Sequence, residues 1–93
     1  MIKIKQNGKR VWVTFVYEPE GDVASVMLSG AWNDWKEEPM KRRKDGSYGL
    51  TKVLRAGETH QFGYKVDGDT WVTEADCETV DSPFFSKNSL LRL

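Results

Sequence analysis

The 93-residue sequence predicts an all-β, immunoglobulin-like (early-set) antiparallel β-sandwich forming a single domain over residues 1–93. Three observations carry that prediction. Apolar residues recur with period two, and no window holds the i, i+3, i+4, i+7 stripe of an amphipathic helix. Turn signals rich in Gly, Pro and Asp separate these stretches at spacings of about 10 to 15 residues. The length allows one modest core, burying roughly 60–65% of the unfolded surface without need of a metal or disulfide staple.

The elements follow in order. Residues 11–17 place Val11, Val13, Phe15 and Tyr17 on one side of a strand and Trp12, Thr14 and Val16 on the other. Glu18-Pro19-Glu20-Gly21-Asp22 is turn chemistry. Residues 25–29 form a second strand with Val26 and Leu28 inward, and residues 30–39 are irregular and aromatic. Asp45-Gly46 marks a hairpin, because glycine accepts the positive φ that tight turns require. Beyond it Tyr48, Leu50 and Leu54 keep one parity, Lys52 interrupts them, and Val53 takes the opposite face. Either a β-bulge near Lys52 or a lysine snorkelling at the sheet edge accounts for the interruption. Residues 61–66 put Phe62, Tyr64 and Val66 inside and Gln61, Gly63 and Lys65 outside. Asp67-Gly68 turns the chain into a strand at 70–73, and residues 88–93 supply a closing strand. There is no repeat, linker or low-complexity segment.

Fourteen basic residues balance fourteen acidic ones. Phosphate binding normally shows as a basic surplus, so the balance predicts no nucleic-acid partner. The run Lys41-Arg42-Arg43-Lys44 reads as a solvated turn. A single cysteine, Cys77, excludes an intrachain disulfide and fits a reducing compartment. Met1-Ile2-Lys3-Ile4-Lys5 alternates and does not resemble a signal peptide, and no stretch approaches the ~20 apolar residues of a membrane span. The expectation is a soluble cytoplasmic protein with no membrane partner.

Catalytic chemistry finds little footing. His60 is the only histidine and reads as a structural or surface residue; Cys77 reads as a small, partly buried apolar residue. Glu74, Asp76, Glu78 and Asp81 lack the spacing and interposed glycine of a calcium loop. No phosphate-cradling glycine loop is present. The sequence therefore predicts no enzyme, no cofactor and no metal site.

Aromatic placement is the informative feature. Of four tryptophans, Trp32 and Trp35 flank Asn33-Asp34 in the irregular stretch, so the two cannot easily point the same way. If one enters the core, the other is displayed. Trp71, just after the Asp67-Gly68-Asp69 turn, is a second candidate for display. An exposed indole is a flat apolar platform that matches the C–H face of a pyranose ring. Neighbouring asparagine amides and lysines then supply hydrogen bonds to sugar hydroxyls.

At Ser29-Gly30-Ala31-Trp32-Asn33-Asp34-Trp35 the sequence resembles the family-48 carbohydrate-binding modules. These include the amino-terminal domains of isoamylases and branching enzymes and the glycogen-binding domain of the AMP-activated protein kinase beta subunit. The family pattern there is Gly-x-Phe-Asn-x-Trp after a Val-x-Leu strand, which Val26-Met27-Leu28 supplies. The resemblance continues at Pro39-Met40, Asp45-Gly46-Ser47-Tyr48 and Ala56-Gly57. It resumes at Phe62-Gly63-Tyr64-Lys65-Val66-Asp67-Gly68 with Trp71, and at Ser82-Pro83-Phe84 through Asn88-Ser89. It thus spans about residues 11–93.

The resemblance implies a non-catalytic module for α-1,4-linked glucan (glycogen, starch, maltooligosaccharide). Trp35 and Trp71 take the positions of the sugar-stacking tryptophans. Asn88 takes that of a hydroxyl-binding asparagine, with Ser86 two residues before it, and Phe84 that of a leucine which enters the ring of a cyclic glucan. Trp32 occupies a core position of the family and is assigned inward. Three departures stand out. Gly63 replaces the family's sugar-contacting lysine, for which Lys65, two residues on and on the same face, is expected to substitute in part. Phe85 replaces a usual glycine. The Asn-Asp-Pro stretch common after the second tryptophan is shortened to Val72-Thr73-Glu74. A glycogen- or starch-metabolising enzyme is a natural partner chain. The alternative is an immunoglobulin-like protein-interaction or structural domain that has lost sugar binding. The discriminating feature is whether Trp35 and Trp71 share one shallow groove near Asn88.

Overall fold

The computed structural model describes residues 1–82 and 86–93. Its first hairpin joins β1 (Ile2–Asn7) to β2 (Arg10–Tyr17) through Gly8 and Lys9. β1 lies outside the strands expected from the sequence. Only Ile2 and Ile4 are apolar in it, and it is an edge strand exposed along nearly its whole length. The inner side of β2 follows its parity, with Val11, Val13 and Phe15 at most 1% exposed, while Val16 on the other side is buried as well.

The remaining strands are β3 (Val26–Gly30), β4 (Glu38–Pro39), β5 (Lys41–Arg42), β6 (Tyr48–Arg55), β7 (Thr59–Val66), β8 (Thr70–Val72), β9 (Thr79–Asp81) and β10 (Lys87–Arg92). They form two antiparallel sheets. The first has the order β1-β2-β6-β5; the second has the order β4-β3-β7-β10-β9, with β8 added beside β7. Tight turns fall where glycine and aspartate predict them. Gly46 takes a φ of 88°, and Asp67 and Gly68 take 53° and 77°. Asp67 also earns its place by accepting hydrogen bonds from the backbone N–H groups of Ala24 and Ser25, tying one loop to another.

β6 pairs with β2 without interruption from Arg55↔Arg10 to Tyr48↔Tyr17. No bulge lies at Lys52, so the snorkelling alternative holds. Lys52 sits opposite Val13 and carries its ammonium out to the Glu38 carboxylate, 2.7 Å away. Lys41 and Arg42 form the short edge strand β5, while the solvent exposure expected of residues 41–44 is observed.

Between the sheets, Val11, Val13 and Phe15 meet Val26, Leu28, Phe62, Tyr64 and Leu91. Full burial of such side chains contributes about 1.5–3 kcal/mol each. The Phe15 and Phe62 rings meet edge to face at 5.0 Å, a geometry favoured by the aromatic quadrupole. Cys77 packs partly buried against this core. Tyr64 anchors the far end by donating to the Glu74 carboxylate at 2.9 Å. Burial, then the Glu74 charge, push the Tyr64 phenol up, so it stays a donor.

Candidate functional site

The outer face of the second sheet carries the residues of interest. Directly paired residues share a face. Ser29 lies opposite Gly63 and Lys65 opposite Trp71, so all four stand on that side with Gln61.

The segment after β3 explains how two neighbouring tryptophans diverge. Trp32, in a 3-10 turn over Ala31–Asn33, turns inward: its ring lies 5.3 Å from Phe15 and 6.0 Å from Phe62. Gly30 makes room for it, since a Cβ there would come within 2.4 Å of the ring. Asp34 and Trp35 then both adopt left-handed backbone, φ 60° and 65°. That is unusual for tryptophan and costs on the order of 1–2 kcal/mol. The conformation is held by Trp35 N–H donating to the Gly30 carbonyl and by the Ser29 hydroxyl donating to the Trp35 carbonyl, each at 2.9 Å. Glu38 clamps the loop from beneath. Its carboxylate accepts from Trp32 Nε1, Asn33 Nδ2 and Lys52 Nζ. The result is a Trp35 ring displayed to solvent at 39% exposure.

Trp71 arrives from the other side. Its indole N–H donates to the Lys87 carbonyl at 2.9 Å, and its ring lies across Gly63. A Cβ at position 63 would approach Trp71 Cζ2 to 2.2 Å. The glycine that stands where the resemblance implies a lysine is therefore the floor on which this ring rests. The two indoles meet at a centroid distance of 6.2 Å with their planes 54° apart, forming a corner.

Trp35, Trp71, Asn88 and Ser86 all line one open cavity of about 540 Å³, together with Ser29, Ala31, Thr59, Gln61 and Ser82. Asn88 is nearly buried, and its amide nitrogen donates to Gln61 Oε1 at 3.1 Å. That contact fixes the orientation of both amides. No ionisable side chain lines the cavity among the described residues. Two aromatic plates, two amides and four hydroxyls suit a neutral, polyhydroxylated ligand with apolar faces.

Of the other two expected site residues, one stands outside the cavity lining and one outside the described residues. Lys65 shares the outer face but stands outside the cavity lining, its ammonium 3.1 Å from Glu37. Phe84, with Phe85, lies outside the described residues; Ser82 and Ser86 on either side both reach the cavity. Sequence reasoning overlooked Gln61, Thr59, Ser29 and Ser82. For Gln61 the signal was present, since strand parity put it on the face of Gly63. The Glu38 clamp joins two nearby donors, Trp32 and Asn33, to Lys52 on another strand, a convergence that strand parity does not reveal.

Among known families, the model for the glycogen recognition site of AMP-activated protein kinase matches residues 11–92. No curated protein matches the chain.

Proposed function

Because the chain belongs to the family of AMP-activated protein kinase glycogen recognition sites, we propose that it is a non-catalytic module binding α-1,4-linked glucan by stacking glucose rings on Trp35 and Trp71. The observation that carries this reading is the corner of two indoles opening into a cavity lined by neutral amides and hydroxyls. Trp35 and Trp71 are the platforms. Asn88, Gln61 and Ser86 are the hydroxyl partners. The 54° angle between the plates supports an α-linked chain. Successive α-1,4 glucose rings turn away from one another, whereas a flat β-1,4 ribbon would need coplanar plates.

Stacking one sugar on each indole contributes on the order of 1–2 kcal/mol. A few hydrogen bonds exposed to water add little to that. The expected dissociation constant is therefore in the tens of micromolar or weaker. Affinity electrophoresis through a gel containing glycogen tests the reading. Retardation of the wild type relative to a glycogen-free gel is expected, and unaltered migration contradicts it.

Lys65 is expected to contribute little, because its ammonium is engaged by Glu37 at the rim. In a maltoheptaose titration, Lys65→Ala is expected to change affinity by less than about threefold, as befits an exposed ion pair. A tenfold loss would place Lys65 among the sugar contacts.

A further inference from the structure

The charge balance of the whole chain conceals a segregation between its sheets. Segments 2–17 and 41–55, which build the first sheet, hold ten of the fourteen basic residues and only one acidic residue, Asp45. The rest of the chain holds four basic residues and thirteen acidic ones. A molecule of zero net charge thus carries a surplus of nine positive charges on one sheet with its turns and nine negative charges elsewhere.

The register resolves where these cations stand. On the outer face of the first sheet, one row across the strands reads Asn7, Arg10, Arg55; the next reads Lys5, Trp12, Val53; the third reads Lys3, Thr14, Thr51. Lys41 lies opposite Gly49, and the Arg43 side chain lies over that glycine. Arg10 and Arg55 face each other directly, an arrangement that costs stability in an isolated sheet. Among the described residues, Lys52 alone of the ten makes an ion pair, and it points inward. Within the cationic frame lies an apolar pair, half-buried Trp12 and Val53, the latter 53% exposed.

We propose that this face is a docking surface for an acidic protein partner, on the side of the sandwich opposite the glucan cavity. An apolar centre holding a Trp and framed by cations fits a protein–protein interface with an acidic partner. Phosphate chains would reward the cations but gain nothing from an exposed valine. Because the two faces belong to different sheets, one chain holds glucan and partner together, acting as an adaptor. The docking surface itself does not depend on the glucan reading.

The probes are a random 4:1 copolymer of glutamate and tyrosine, polyglutamate of matched length, a 20-base-pair DNA duplex and phosphatidylserine vesicles, each titrated at 150 mM salt. The copolymer is expected to bind at least about fivefold more tightly than polyglutamate, since only it offers apolar contacts for Trp12 and Val53. Lys5→Glu/Arg55→Glu is expected to weaken copolymer binding roughly tenfold or more, and Val53→Asp to erase the preference over polyglutamate. Both variants change exposed residues, and unchanged thermal melting verifies their folding. Tighter binding of the duplex or the vesicles than of the copolymer would overturn the assignment of partner. Failure of the copolymer to bind even at 50 mM salt would overturn the docking surface. A dimer in sedimentation that the charge reversals dissociate would assign the face to a second copy and overturn the proposal. None of these results bears on glycogen retardation, so the two readings fail separately.

Discussion

The Gly63→Lys variant, which installs the lysine that the resemblance implies at this position, is expected to lose glucan binding by at least about tenfold. The reason is packing. Any Cβ at this position comes within 2.2 Å of Trp71 Cζ2 and 2.5 Å of Cε2, distances that force the ring away. The Trp71 N–H would then part from the Lys87 carbonyl, and the corner formed with Trp35 would open. Such overpacking typically costs 1–3 kcal/mol of stability, so the variant remains folded at low temperature while the platform is displaced. Maltoheptaose titration checks the affinity, and a red-shifted tryptophan emission checks the ring. Gly63→Ala is expected to act in the same direction, because the conflict is with Cβ. An affinity gain in Gly63→Lys would show that Trp71 does not rest on this glycine when sugar binds.

The second large effect concerns stability. Glu74 is 3% exposed. Its carboxylate accepts from the buried Tyr64 hydroxyl, from the Asp76 backbone N–H and from the Met1 amino group. Glu74→Ala leaves the Tyr64 hydroxyl without an acceptor in the core, and a cost of about 2–4 kcal/mol is expected. Urea denaturation with an unchanged m-value would measure it. Burial alone would raise the Glu74 carboxyl, but the Met1 ammonium, the Asp76 amide and the Tyr64 hydroxyl outweigh burial and hold it below the ordinary 4.5. A carboxylate depressed on folding stabilises the native state fully above its unfolded value and ceases to do so as pH falls through its folded value. Wild-type stability is therefore expected to fall on acidification from pH 5, and Glu74→Gln is expected to show a shallower decline. Equal slopes would remove Glu74 from the acid response.

Both effects show what the sequence makes legible. Parity alone places Val11, Val13, Phe15, Phe62 and Tyr64 in the core, because each lies on a central strand with one buried face. It does not reveal β1 or β9, short edge strands whose side chains are mostly solvated. Lys52 breaks its strand's pattern for a reason found elsewhere in the chain, at Glu38. In the cavity, Trp35, Trp71, Asn88 and Ser86 follow from the family pattern. The face of Gln61 follows from strand parity, but its contact with Asn88 appears only once strand pairing brings β10 beside β7. Gly63 looks like a missing contact in one dimension and becomes a packing requirement in three. Charge shows the same divide. The sum over the chain is zero, and only strand order gathers ten cations, seven on the strands of one sheet and three in its turns.

The central claim is that Trp35 and Trp71 form an α-glucan platform. A tryptophan-fluorescence titration with maltoheptaose and β-cyclodextrin, set beside cellohexaose and run on wild type and Trp35→Ala, tests it most directly. The account predicts a saturable change with both α-linked sugars in the tens-to-hundreds of micromolar range, none with cellohexaose, and its loss in Trp35→Ala. Wild-type protein that stays folded and silent up to millimolar maltoheptaose would contradict it, as would a response that survives the loss of Trp35.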